Sequence, residues 1–252
     1  MLSAIELSGM GFAFDYQTSS SSLVETIWQT QSEHAGVFTS LATSQSEVVF
    51  TRHRGATTLV MRGPETKATI ADCPEGAEFF GITFKLGVFI PDLPPTQLVD
   101  QHAILPAASN QSFWLADQTW AIPSFLEADD FIDRLVRQGL IHSEPVVDLI
   151  LNDQLEASAL TPRSLQRRFQ QATGLSHRTV RHIERARKAM GLLETGTPIF
   201  DVIHDLGFVD QPHLTKTLKH LVGLTPGQIS GVAWTHSVLT ERELMLLRLS
   251  SS

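Results

Sequence analysis

The stretch LEASALTPRSLQRRFQQATGL, residues 155–175, and a second, HDLGFVDQPHLTKTLKHLVGL, residues 204–224, decide how this chain is read. They align without gaps at an offset of 49 residues: Leu165 falls on Leu214, Phe169 on Leu218, Gly174 on Gly223 and Leu175 on Leu224. Such a period points to a repeated helical unit. Each copy has the pattern of a helix-turn-helix, whose second helix enters a DNA major groove. Two such helices predict a protein that grips two successive major grooves.

The chemistry of the helices supports that reading. Thr161 suits an N-cap and Pro162 the first helical position, where its missing N–H has no partner to lose. At about 100° per residue, Leu165, Phe169 and Ala172 share one face, while Arg163, Gln166, Arg167 and Gln170 share the other. Arg bonds guanine and Gln bonds adenine in bidentate fashion. In the second copy Leu214, Leu218 and Leu221 turn inward, and Pro212, Thr215, Lys216 and Lys219 turn outward. His213 lies on the flank, where it suits a phosphate. Val209 precedes the helix and Asp210 can cap it. A Lys is a point charge without the guanidinium fork, so the second helix is expected to anchor phosphates more than it reads bases. Thr225 and Gln228 have capping-box spacing for one more helix. Between the copies, HRTVRHIERARKAMGLLE (177–194) carries an apolar stripe of Val180, Ile183, Ala186, Met190 and Leu193. It reads as one helix, about 25 Å long, that spaces the two motifs.

Charge divides the same way. The net charge is −8, but residues 1–155 hold seven Lys and Arg against nineteen Asp and Glu, and residues 156–252 hold twelve against eight. Arg163, Arg167, Arg168, Arg178, Arg181, Arg185, Arg187 and Lys188 are opposed only by Glu184 between residues 161 and 188. A basic region on an acidic chain marks the nucleic-acid-binding part.

The rest of the chain reads as β. GVFTSLA, EVVFTRH, TTLVMRG, KATIAD and FFGITFKLGVFI are short runs rich in Val, Ile, Phe and Thr, split by turn residues. They predict a small barrel or sandwich whose inside holds a ligand. Residues 1–22 are weakly patterned, and the run Ser19–Ser22 reads as a mobile connection. Helical periods return at Ala128–Leu140 and Glu144–Leu151, and Glu241–Leu249 suits a short helix. The expected class is α+β in two domains. Residues 1–140 form a β-rich effector-binding or dimerisation domain, 141–236 a double helix-turn-helix domain expected to fold alone, and 237–252 a tail. The single cysteine, Cys73, excludes an intramolecular disulfide framework and suits a buried position. No secretory leader pattern and no bilayer-length apolar run occur, so a cytoplasmic protein without a membrane partner is expected.

Residues 155–230 resemble the DNA-binding domain of the AraC/XylS family of bacterial transcription regulators. The resemblance rests on Leu165, Arg167 and Phe169, Gly174, Arg185, Ala189, Leu192 and Leu193. It continues through Gly207 and Phe208, Asp210 and Gln211, His213, Lys219, Gly223, Thr225 and Pro226. It implies two helix-turn-helix units joined by a long helix, with double-stranded DNA as partner and RNA polymerase as a further one if the protein activates. Departures are a poor first scaffold helix over 154–159, Val209 in place of a capping Ser, Leu214 and Leu218 in place of aromatics, and Lys216 in place of Arg. Residues 80–105, with Trp28, resemble more weakly the sensor-like domain that precedes it in some members. That resemblance implies a small-molecule effector or a homodimer contact.

Trp28, Phe80 and Phe84 are the candidate effector-binding residues, although such rings equally suit β-core packing. His53 and His102 would be the ligands of a cupin-like metal site, but no histidine pair has a carboxylate at ligand spacing, so neither metal nor cofactor is expected. No phosphate loop, nucleophile elbow or zinc cluster supports catalysis. A sequence-specific transcription regulator is therefore the leading reading, ahead of a metal-dependent enzyme with an accessory helical domain and an architectural DNA-bending protein.

Overall fold

The computed structural model describes residues 4–5, 12–154 and 160–231. The scaffold helix sought at 154–159 and the helix sought at 241–249 fall wholly or almost wholly outside the described residues.

The N-terminal half is built on a six-stranded antiparallel sheet. Its strands are β2 (Phe12–Gln17), β3 (Val24–Ser32), β5 (Glu47–His53), β6 (Ala56–Arg62), β8 (Glu78–Phe84) and β10 (His102–Leu105), in the order β10-β6-β5-β8-β3-β2. A three-stranded sheet, β1 (Ala4–Ile5), β4 (Gly36–Ser40) and β7 (Thr69–Cys73), has the order β1-β4-β7. The period of two along each strand separates two environments. Ile27, Val48, Phe50, Met61, Ile82 and Phe84 join one buried core. That core also takes Phe113 and Trp120, from the meander β11 (Ala107–Ser109), β12 (Ser112–Leu115) and β13 (Gln118–Ala121), and Phe131 and Leu135 of helix α2 (Ala128–Arg137). The opposite face carries Trp28, Thr30, Val49, Thr51, Val60, Arg62 and Phe79, which line a cavity together with Phe38, Ala71 and Cys73 of the smaller sheet. The two sheets form a sandwich; β10 and β2 remain edges, so the barrel alternative does not hold among the described residues.

The serine run is not a loose connection. The Ser20 N–H donates to Asp129 Oδ2 at 3.0 Å, the Ser20 hydroxyl donates to the same oxygen at 3.1 Å, and the Ser19 hydroxyl donates to Asp129 Oδ1. The first turn of α2 therefore holds the entry to β3.

Packing also runs across the expected domain junction. β14 (His142–Ser143) pairs antiparallel with β9 (Val88–Phe89). Leu41 and Ala42, from the loop after β4, lie in one buried cluster with Phe169, Met190, Leu214 and Leu218, and Leu86, Phe89 and Val99 pack against it. The helical core thus includes side chains from before residue 140, which a fragment starting there would lack.

The helices are α1 (Pro95–Leu98), α3 (Pro145–Leu151), α4 (Pro162–Thr173), α5 (His177–Glu194), α6 (Ile199–Asp205), α7 (Gln211–Leu221) and α8 (Pro226–Gly231). Gly174 ends α4 with φ +74, and a Cβ there would lie 2.7 Å from the Pro95 carbonyl oxygen, so only glycine meets both demands.

Candidate nucleic-acid interface

Helix α4 is set by its ends and its apolar stripe. The Thr161 hydroxyl accepts from the Ser164 N–H at 3.2 Å, and Leu165, Phe169 and Ala172 are buried. Arg163, Gln166, Arg167 and Gln170 are all exposed on the other side. Arg168 serves structure: its Nε donates to Glu144 Oε2 at 3.0 Å, and its Nη2 lies 2.9 Å from Glu144 Oε1. Glu144 in turn caps α3 by accepting from the Val146 N–H. Among the described residues, α3 is a helix that packs directly on α4.

Helix α7 repeats the arrangement. Asp210 is its N-cap, accepting from the His213 N–H at 2.8 Å, which leaves Val209 exposed beside it. Leu214, Leu218 and Leu221 are buried. Pro212, Lys216 and Lys219 are exposed, Thr215 is half-buried, and these residues share one open surface with Gln211 and His220. Gln211, one of the residues of the resemblance, and His220 extend the face read from the sequence. His213 stands on the flank, its ring 5.5 Å from that of Phe208. The Val209 N–H donates to its Nδ1 at 3.3 Å, which leaves Nε2 as the donor nitrogen of the neutral ring.

Helix α5 joins the two motifs and is buried along Val180, Ile183, Ala186, Met190 and Leu193. Not all of its cations face solvent. Arg187 is buried and donates to the Ala42 carbonyl at 3.4 Å, so it belongs to the contact with the β half. The guanidinium carbon of Arg185 sits 4.7 Å from the centre of the Phe208 ring, which ties α5 to the turn between α6 and α7. Burial, and then the nearby charges of Arg185 and Arg178, holds the His182 imidazole below its usual value.

The residues expected to bind an effector are not brought together. Trp28 lines the cavity between the sheets, which has a volume of about 260 Å³. Phe80 and Phe84 stand on the other face of the large sheet, Phe80 stacked on Phe50 with ring centres 5.0 Å apart and Phe84 fully buried. The cause is register: Trp28 pairs with Gly81, so its neighbour Phe80 points the opposite way. The indole lies flat over Gly81, where a Cβ would come within 2.1 Å of the ring. Cys73 and His102 line the same cavity. Burial pushes the Cys73 thiol up, which keeps it protonated near neutrality. Among the described residues no group of three or more His, Cys, Asp and Glu is placed to hold a metal. No described helix is long and apolar enough to cross a membrane.

The arrangement is that of two capped helices with polar faces outward and apolar faces sharing one core, separated by a third, longer helix. Residues 155–230 match the family model described as a helix-turn-helix domain. Over these residues the chain is similar to an AraC-type helix-turn-helix domain. That likeness supports a DNA-binding regulator of the AraC type. No curated protein and no solved structure matches it. Within the matched residues, Arg167 and Lys216 occupy equivalent places, 49 residues apart, on the exposed faces of α4 and α7.

Proposed function

We propose that the chain regulates transcription by placing α4 and α7 in two successive major grooves of double-stranded DNA, and that a small molecule between the two sheets adjusts this grip. The first part rests on the paired exposed faces: Arg163, Gln166, Arg167 and Gln170 on α4, and Pro212, Thr215, Lys216 and Lys219 on α7. Both helices bury their other faces in one core, so their spacing is fixed before DNA arrives. His213 offers its Nε2 to a phosphate. The chain acts by binding rather than by turnover, in the cytoplasm where a bacterial promoter is accessible.

The support for modulation is the route from the cavity to α7. Arg62 lines the cavity, and its Nη1 and Nη2 reach Glu47 and Glu65 at 3.0 Å and 2.5 Å. Glu65 bridges Thr43 through two backbone hydrogen bonds of 2.9 and 2.8 Å. On either side of that bridge, the Ala42 N–H donates to the Leu221 carbonyl and the Ala68 N–H to the His220 carbonyl, each at 2.8 Å. Those carbonyls belong to the last turn of α7, which lacks helical partners of its own. The β half therefore supplies the C-terminal cap of the second recognition helix. A ligand that moves Arg62 acts on that cap. The cavity is small and lined mostly by apolar side chains, among them Trp28, Phe38, Val49, Val60 and Phe79. It suits a compact, largely apolar metabolite.

Two measurements test this reading. Footprinting of the full chain on a selected genomic fragment is expected to protect two major-groove segments about 34 Å apart on one side of the duplex. Protection of a single segment contradicts the use of both helices. A thermal-shift screen of small metabolites is expected to find a compound that raises the midpoint, with the shift lost in Trp28→Ala. Turnover of that compound by the protein would contradict a sensor role.

A further inference from the structure

Helix α5 carries more charge than a spacer needs. At about 100° per residue, Arg178, Arg181, His182, Arg185 and Lys188 fall within roughly 120° of one another, on the side away from the apolar stripe. They line an open groove of about 950 Å³ between the two motifs. Leu151 at the end of α3, Asp205 and Leu206 at the end of α6, and His213 of α7 complete its walls. Among the described residues, none of the four Arg and Lys side chains forms an ion pair, and Glu184, which also borders the groove, accepts from the Ser44 hydroxyl at 2.6 Å. His182 Nε2 and Arg185 Nε are buried with no hydrogen-bond partner there. Unpaired cations and unmet polar atoms, gathered in one groove, are what a polyanion satisfies.

The position of the groove says which polyanion. His213 belongs both to its wall and to the flank of α7, beside the exposed Lys216 and Lys219. His182 and His213 line the groove together, so the groove and the face of α7 adjoin. A duplex that offers successive major grooves to α4 and α7 must turn a minor groove, with its bordering phosphates, toward α5 half a turn, or about 17 Å, from each. From Arg178 to Lys188 the charged stripe runs about 15 Å at 1.5 Å per residue.

We propose that the α5 groove binds the sugar-phosphate backbone of DNA between the two recognition helices, so that α5 is a third, sequence-independent anchoring element. This rests on the DNA-binding reading given above. Arg178, Arg181 and Lys188 hold the phosphates, because they are exposed and free to reach outward. Arg185 stays stacked on Phe208 and sets the floor of the groove.

The test compares the full chain with the triple variant Arg178→Gln, Arg181→Gln, Lys188→Gln, on a selected site and on scrambled duplex, between 50 and 200 mM salt. Three lost phosphate contacts should make the slope of log affinity against log salt shallower by about 2.7. The advantage of the parent chain over the variant should then shrink roughly 40-fold across that range, equally on both duplexes, with base preference unchanged. The charge-conserving variant Arg178→Lys, Arg181→Lys, Lys188→Arg should restore the slope, which separates loss of charge from loss of fold. If the parent binds DNA with a steep slope and the Gln variant matches it, the α5 anchor is wrong and the two-helix reading stands. A change in base preference with an unchanged slope would also overturn the anchor. If the parent shows no affinity for DNA, the underlying reading fails first.

Discussion

Replacing Arg62 by Met is expected to destabilise the full chain by about 3–5 kcal/mol, the range for removing one partner from a buried charge network. Its side chain is 22% exposed, and those of Glu47 and Glu65 are 12% and 14%. Nη1 lies 3.0 Å from Glu47 Oε1, and Nη2 donates to both Glu65 and the Ser40 hydroxyl. Burial opposes the guanidinium charge, and the two carboxylates more than offset it, so its affinity for the proton is raised. Without the cation, two carboxylates stay buried and repel each other. Glu47→Gln and Glu65→Gln added to Arg62→Met should therefore recover most of the loss, because neutral amides tolerate the site. Denaturant unfolding of the single and triple variants measures both effects. A loss below 1 kcal/mol in the single variant would mean that the network is solvated. The same substitution should weaken DNA binding at temperatures where the chain is still folded, because the Thr43–Glu65 bridge beside it positions the cap of α7.

Unequal roles are expected for the two recognition helices. Arg167 is exposed at the centre of a face that also presents Arg163, Gln166 and Gln170, all with side chains able to address base edges. Lys216 holds the equivalent place on α7, flanked by Pro212, Thr215 and Lys219. Arg167→Ala should cost roughly 1–3 kcal/mol at the selected site and relax preference at one or two base pairs. Lys216→Ala should weaken selected and scrambled duplex about equally and make the salt slope shallower by about one unit. A binding series over single-base variants of the site decides between these roles. Altered base preference in Lys216→Ala, with none in Arg167→Ala, would exchange them.

The helical half was legible because its signals are local. Thr161, Asp210, Gly174 and the Thr225–Gln228 box act within one turn of the helix they bound, and each does in the structure what its residue type suggests. Five strands of the β half were also legible from composition. What the sequence hid is non-local. The side of a strand on which Phe80 falls depends on pairing between β3 and β8, and only register separates it from Trp28. Arg187 sits in the same basic run as Arg185, yet it is buried against the Ala42 carbonyl, a residue 145 positions away. Ser19–Ser22 has the composition of a linker, and its partner Asp129 lies 110 residues on. The capping of α7 by Ala42 and Ala68 has no sequence signature at all, since any residue except proline supplies a backbone N–H.

The most direct test of the account is the salt dependence of DNA binding by the full chain, measured on a duplex selected from genomic fragments and on its scrambled counterpart. If the exposed cations of α4, α5 and α7 together displace roughly six counterions, log affinity falls with a slope of about −5 against log salt. The selected duplex should bind at least about 10³-fold tighter than the scrambled one at physiological salt. A slope near zero, or equal affinity for the two duplexes, would contradict a sequence-reading surface built from these helices.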